Sequence, residues 1–260
     1  MNLCVLFYKT YHNNKKDWVV CLHAVCTGHF IFDGQLDELS KYFNVLLIDL
    51  PGHYQSKDQP MNMKEPFDHT IREVTKVLDH VGVKKAYFVG VSLGTIVIHQ
   101  LILQEPWRVK KAVLGGAAIA FTPEAMRFLR IAKRWIYFLP YKWYMRKLMI
   151  YMMPKENHQP ANNIIMDKGA LLGRKNFIYW LHAISRIEQI YDERINATNV
   201  PRLYISGEED HTLLPSLMEK IEESQTTSVH IMKRCGHMVN MERPDEFNQH
   251  MIAFFNSASA

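Results

Sequence analysis

Cysteine is scarce in this sequence. Its 260 residues hold four: Cys4, Cys21, Cys26 and Cys235. None forms a C-x-x-C pair, and no cysteine–histidine group has the spacing of a zinc site. A disulfide framework needs denser cysteine in a smaller chain. Free thiols in a reducing compartment are therefore expected, with Cys21 buried in a strand as a small hydrophobe. No apolar run reaches the ~20 residues that a membrane-spanning helix needs. The first residues lack the basic region and cleavage site of a secretory signal, and Lys9 interrupts their apolar run. A soluble, cytoplasmic protein is the expectation. Charge is muted as well. The formal net charge of +5 is too small to argue for nucleic acid as a partner. With 48% hydrophobic and 22% charged residues, disordered and fibrous classes are excluded. Internal repeats and low-complexity segments are absent.

What is present is an alternation of short apolar runs with helical patterns. Residues 3–8, 18–23, 45–49, 86–89, 109–114, 202–205 and 229–232 read as strands. Residues 35–43, 66–81, 92–104 and 245–255 read as helices. In the second of these, Phe67, Ile71, Val74, Val77, Leu78 and Val81 recur at helical spacing. The polar run 12–16 reads as a turn. Strand–helix alternation of this kind implies an α/β fold with a mostly parallel sheet and right-handed crossovers.

Residues 121–200 break the rhythm. No strand pattern is found there, only helical stretches interrupted by Pro140, Pro154, Pro160 and Gly173. The segment holds 13 of the 30 Phe, Trp and Tyr residues, and 13 Lys and Arg against 6 Asp and Glu. The remainder of the chain is left slightly acidic. The segment reads as a helical insertion between two strands, with residues 1–120 and 201–260 forming the core domain.

One pentapeptide carries chemistry. The strand at 86–89 runs into Gly90-Val91-Ser92-Leu93-Gly94, and a helical pattern follows. This is G-x-S-x-G in the strand–turn–helix context that gives it meaning. Small neighbours let a tight turn hold the serine in a strained backbone region. The helix that starts there aims N–H groups and its positive end at a developing oxyanion. A serine hydroxyl needs a base. Of 13 histidines, His237 lies after the last strand and beside Gly236, at the carboxyl edge of the sheet. Its orienting carboxylate is expected in Gly207-Glu208-Glu209-Asp210, after the preceding strand. Asp210 is chosen, with Glu208 and Glu209 as competitors. The order Ser92, Asp210, His237 is the serine–acid–histidine order of this architecture. Leu93 supplies one oxyanion N–H, and Val25, in the loop after 18–23, the second.

Taken together these motifs resemble the α/β-hydrolase superfamily over nearly the whole chain. His23-Ala24 is similar to its His-Gly loop. Asp49-Leu50-Pro51-Gly52-His53-Tyr54-Gln55-Ser56 is similar to its D-x-P-G-H-G-x-S segment. Gly236-His237 followed by Glu242-Arg243-Pro244 completes the series. Two departures stand out. Ala24 and Tyr54 occupy positions where glycine is usual. In family terms 121–200 resembles a helical cap.

The resemblance implies a serine hydrolase acting on a carboxylic ester, thioester or lactone of a small to medium apolar substrate. It calls for no metal and no cofactor. The methionine- and aromatic-rich segment 121–200 is expected to wall the substrate pocket, with Trp143 and Trp180 from it and Phe30 and Met238 from the core. Most of its apolar residues are expected simply to pack it on the core. The basic run from Arg127 to Trp135 is read as a solvated helix face, with contact to anionic lipid as the alternative. Carbon–carbon bond hydrolysis or lyase chemistry on the same site stays open. So does a ligand receptor that hydrolyses weakly.

Overall fold

The computed structural model describes residues 6–257. Its centre is a seven-stranded sheet. The strands are β1 (Tyr8–Tyr11), β2 (Trp18–Leu22), β3 (Asn44–Ile48), β4 (Ala86–Val91), β5 (Val109–Gly115), β6 (Arg202–Gly207) and β7 (Thr227–Met232), in the spatial order β1-β3-β2-β4-β5-β6-β7. Every neighbouring pair is parallel except β1 with β3. This is the mostly parallel α/β sheet anticipated from the alternation of elements, and the α/β-hydrolase fold that the motif resemblance implies. β2 and β3 are apolar nearly throughout, and they and β6 are buried along nearly their whole length, as a sheet covered on both faces demands.

The first strand differs from expectation. Pairing with β3 begins at Tyr8 opposite Ile48 and runs to Tyr11, so the strand lies later than 3–8. Leu6 is buried in the core without joining the ladder. Residues 3–5 lie outside the described residues.

Helices α1 (Asp33–Tyr42), α2 (Pro66–Val81) and α3 (Leu93–Gln104) follow β2, β3 and β4. α2 has the expected bounds. Proline opens it, and Gly82, at φ +82°, closes it in the left-handed conformation that glycine adopts without penalty. Its apolar face packs on α3, and α3 lies against β2, β4 and β5.

Between β5 and β6 the chain forms α4 (Pro123–Trp135), α5 (Tyr141–Met152), α6 (Gln159–Gly169), α7 (Arg174–Ile184) and the short α8 (Ile187–Ile190), and no strand among the described residues. The chain then continues through α9 (Leu214–Lys220), α10 (Val239–Glu242) and α11 (Pro244–Asn256). α1 and α11 pack together, and Phe255 meets Phe43 and Tyr87. No helix among the described residues is long and apolar enough to cross a membrane.

Candidate active site

The elbow forms because the backbone after β4 has little room. Ser92 sits at φ 51°, ψ −110°, a strained region for a residue with a Cβ, worth about 1–3 kcal/mol. Its flanking glycines are steric necessities. A Cβ on Gly94 would lie 2.0 Å from the Leu22 carbonyl oxygen, and one on Gly90 would lie 2.6 Å from Ile98 Cδ1. The strain is held by a chain of bonds. The Ser92 N–H donates to the Gly115 carbonyl at 2.9 Å, and the Thr95 hydroxyl donates to the Ser92 carbonyl at 2.6 Å. That hydroxyl in turn accepts the Ala118 N–H at 3.1 Å. Ser92 is thus fixed at the carboxyl end of β4 and the N-terminus of α3.

His237 and Asp210 meet beside it. His237 Nδ1 is 2.7 Å from Asp210 Oδ2, with both side chains buried. Asp210 Oδ1 accepts three further bonds: from the Thr212 hydroxyl at 2.7 Å, the Thr212 N–H at 3.1 Å and the Leu213 N–H at 3.2 Å. Burial pushes the Asp210 pKa up, but the His237 charge and these hydrogen bonds outweigh it, and the carboxyl sits below its ordinary value. Burial pushes His237 down, but Asp210 and, more weakly, Glu242 hold it above the ordinary histidine value. The ring therefore turns Nδ1–H to the carboxylate and leaves Nε2 free for a proton. Ser92 and His237 line one small cavity with Ala24, Val25, Thr27 and Met238.

The two competing carboxylates are accounted for. Glu209 is taken by other partners: Lys155 Nζ at 2.9 Å, Asn157 Nδ2 at 2.9 Å and His158 Nε2 at 2.9 Å. Burial would raise its pKa, but these bonds pull it down to about 2. Glu208 is exposed. Of the three, Asp210 is the one bonded to His237.

Several positioning groups escaped the sequence reading. Gly116, at φ +51°, passes directly under the histidine, where a Cβ would lie 2.5 Å from the His237 carbonyl oxygen. Glu242 is almost wholly buried, accepts the Gly236 N–H at 2.6 Å and the Met238 N–H at 2.9 Å, and so grips the loop on both sides of His237. His158, fully buried, lies 2.9 Å from Glu209 and 3.7 Å from Glu242. Through it the 121–200 segment is tied to that loop. No local signal in the sequence brings residues 158, 209 and 242 together.

The loop after β2, the candidate oxyanion loop, is held by the His23 and Asp49 motifs. His23 Nε2 accepts the Leu50 N–H at 2.9 Å, and Nδ1 lies 2.8 Å from the Ala24 carbonyl. The ring is therefore neutral with its proton on Nδ1, and burial lowers its pKa. Asp49 accepts the His29 N–H at 2.6 Å and the Gln55 N–H at 3.2 Å. These bonds staple the His23-Ala24 loop to the Asp49–Ser56 segment. Tyr54 keeps a positive φ of 39°, so the turn survives the loss of the usual glycine at a cost in strain. Its ring packs 5.3 Å from His29 and 5.2 Å from Phe30, over Gly28. Leu93 is the first residue of α3, so its N–H has no carbonyl within that helix. Val25 lies beside Ser92 in the same cavity.

A second, larger cavity opens on Ser92 and is almost entirely apolar. Its walls include Phe121, Ala125, Phe128, Leu129, Leu148 and Tyr151. The four residues expected to wall the pocket fare differently. Met238 lines the cavity that holds Ser92 and His237. Phe30 faces another hollow, with Lys168 Nζ 4.8 Å above its ring. Trp180 is wholly buried, donates Nε1–H to the Pro51 carbonyl at 3.0 Å and packs on His53 and Phe67. Trp143 points outward and is half exposed. Neither tryptophan lines a cavity that contains Ser92.

A family model described as the alpha/beta hydrolase fold matches residues 17–148. The chain belongs to this family. Relatives extend the likeness to nearly its whole length. A 2-hydroxy-6-oxononadienedioate/2-hydroxy-6-oxononatrienedioate hydrolase of Klebsiella pneumoniae is 26% identical, over 94% of this chain and 88% of its own. The enol-lactonase of Burkholderia xenovorans LB400 superposes with a TM-score of 0.79 at 19% identity, covering 97% of this chain and 96% of its own. The meta-cleavage product hydrolase of Pseudomonas fluorescens IP01 superposes with a TM-score of 0.77 at 22% identity, covering 96% and 93%. Structural likeness at these identities establishes the fold. The family and its hydrolase relatives make this chain an α/β-fold hydrolase, and a small-molecule substrate is consistent with them.

Proposed function

We propose that this hydrolase is a carboxylesterase-like serine enzyme, with Ser92 as nucleophile, His237 as base and Asp210 as its orienting acid. The observation that carries the reading is the union in one cavity of a strained Ser92 and a His237 whose Nδ1 is engaged by buried Asp210. Ser92 Oγ attacks the substrate carbonyl carbon while His237 Nε2 accepts its proton. The Leu93 and Val25 N–H groups hold the oxyanion. The tetrahedral intermediate collapses, the ester C–O bond breaks, and His237 returns the proton to the departing alcohol. Water then repeats the sequence on the acyl-enzyme and frees the acid. The reaction draws on no cofactor. Residues 121–200 act as a cap over a core of 1–120 and 201–260, with α4 and α5 walling the acyl site.

Carbon–carbon hydrolysis is the rival chemistry, since two of the compared proteins carry names of that class. The cavity walls favour the ester. No Lys or Arg lines either cavity at Ser92, so a dicarboxylate substrate would enter without a cationic partner. Desolvating such charges unpaired is costly, whereas an uncharged acyl ester pays no such penalty. The test is covalent labelling by a fluorophosphonate, together with turnover of p-nitrophenyl esters and of a 2-hydroxy-6-oxo-dienoate. Labelling and ester turnover that are both lost in Ser92→Ala are expected. Labelling of a different serine, or turnover of the dienoate alone, overturns the reading.

A further inference from the structure

The outer face of the 121–200 segment is chemically unlike the rest of the molecule. α4 is amphipathic in an unusual sense. Ala125, Phe128 and Leu129 face the cavity at Ser92, while Arg127, Arg130, Ile131, Arg134 and Trp135 are exposed on the other side. The connection to α5 then presents Tyr137, 54% exposed, and Phe138, 79% exposed, and α5 adds Trp143 at 48%. Ile131 and Trp135 are 54% and 56% exposed. Bare aromatic surface of this extent on one short stretch is not explained by packing, and in water it is a liability. The aromatic tip is also held in place. The Arg174 guanidinium donates to the Ile136 carbonyl at 3.0 Å and to the Tyr137 carbonyl, and the Tyr137 hydroxyl lies 3.2 Å from His182.

Charge accompanies the aromatics. Arg127, Arg130, Arg134, Lys142, Arg146 and Lys147 are all exposed, and Glu124 is the sole acid between residues 121 and 153. Lys147 Nζ stands 5.5 Å from the Trp143 ring. We propose that this face, α4, the 136–140 connection and the start of α5, docks on an anionic lipid surface. The aromatic rings enter the headgroup region and the six cations ring them. The pairing of exposed tryptophan, tyrosine and phenylalanine with cations is the signature of an interfacial helix. An acidic protein groove would satisfy the cations but has no need of a bare Phe138. A second copy of this chain would bring the same six cations against their like, which repels. The helices that dock are the helices that wall the cavity at Ser92. On the hydrolase reading above, an ester dissolved in the lipid therefore needs only to pass between them.

The test is sedimentation of the full chain with phosphatidylcholine vesicles, with and without phosphatidylserine, monitored alongside tryptophan emission. Binding confined to the phosphatidylserine vesicles, a blue shift on binding, and release by added salt are expected. Phe138→Ser and the pair Arg130→Glu, Arg134→Glu should each lower the partition coefficient about tenfold or more. Both variants should hydrolyse a soluble short-chain p-nitrophenyl ester as the parent does, since these side chains face away from Ser92. That control also separates the two readings: loss of esterase activity in Ser92→Ala leaves vesicle binding intact. Equal binding to both vesicle types, no binding, or binding unaltered in both folded variants overturns the proposal. So does a concentration-dependent dimer, by analytical ultracentrifugation, that these same substitutions abolish.

Discussion

Replacing Asp210 by asparagine isolates the orienting role, because the structure dictates how the amide must sit. Oδ1 of Asp210 accepts three hydrogen bonds, two from Thr212 and one from the Leu213 N–H, while Oδ2 faces His237 Nδ1 at 2.7 Å. An asparagine must place its oxygen on one side and its NH2 on the other. Turning the NH2 toward Thr212 and Leu213 would forfeit three bonds, each worth about 1 kcal/mol. The three together favour the opposite orientation by more than a hundredfold. The NH2 therefore faces His237 and donates to Nδ1. The imidazole proton moves to Nε2, where it can no longer accept the Ser92 proton. Turnover of p-nitrophenyl butyrate by Asp210→Asn should fall about 10⁴-fold, the scale of this tautomer inversion in a serine–histidine–aspartate triad. The melting temperature should stay near that of the parent, because all three Oδ1 bonds survive.

The pH profile gives an independent reading of the same substitution. His237 must be neutral to act as base, so kcat/KM rises with pH as the ring loses its proton. Asp210 and Glu242 hold the His237 pKa above the ordinary 6.5, which places the limb of the parent above that value. Without the carboxylate charge, burial dominates and the residual limb moves to lower pH. Stability couples to these groups in opposite senses. The contribution of His237 is complete below its unfolded pKa and is lost as pH rises through its raised folded value. That of Asp210 is present above its unfolded pKa and is lost as pH falls through its lowered folded value. Activity of Asp210→Asn within tenfold of the parent, or a Glu209→Gln enzyme equally impaired, would refute the assignment of the acid.

Two further outcomes follow from burial. His99, 2.9 Å from the Tyr204 hydroxyl, is held by burial, and secondarily by Arg202, at a pKa lowered from 6.5 to about 3. Between those values the unfolded chain takes up a proton that the folded ring refuses, so stability declines by roughly 1.4 kcal/mol per pH unit from this group alone. Acid denaturation of His99→Gln should be shallower by that amount, and an unchanged slope in urea titrations across this range would contradict it. Leu148 walls the apolar cavity at Ser92. Leu148→Ala should move the preferred p-nitrophenyl ester to a longer acyl chain and Leu148→Phe to a shorter one. Each added methylene is worth about 0.8 kcal/mol, close to fourfold in kcat/KM. The same order of preference in both folded variants would show that the chain does not bind there.

The elements most legible in the sequence were those whose signal is local. α2 could be bounded to the residue because proline, an apolar face of period 3.6 and a left-handed glycine all agree across Pro66–Gly82. β3 announced itself as a short apolar run followed by Pro51-Gly52. The elbow was readable because its constraint acts within five residues: Gly90 and Gly94 are demanded by contacts with Ile98 and Leu22, and few other sequences fit. β1 was placed too early because an apolar run is not itself a ladder. Leu6 is buried like a strand residue, yet pairing begins only at Tyr8.

The walls of the pocket were not legible, and the reason is geometric. Which face of a helix in the 121–200 segment looks inward depends on how that helix rolls on its neighbours, and a large side chain serves equally well in either direction. Trp180 and Trp143 each stand beside other aromatic residues in the sequence. One is sealed by a hydrogen bond to Pro51, and the other stands half exposed beside Lys147. The buried cluster of His158, Glu209 and Glu242 was hidden for a related reason: its members come from three separate segments, and each carboxylate alone resembles a solvated one. Glu209 shows what this hides. Adjacent to Asp210 and equal to it in charge, it differs in its partners because the backbone turns the two side chains apart, one toward Lys155, Asn157 and His158 and the other toward His237. Chain order could point to the loop that holds both. Only the direction of the side chains distinguishes the carboxylate bonded to His237 from the one that fastens a helical segment to the loop beside it.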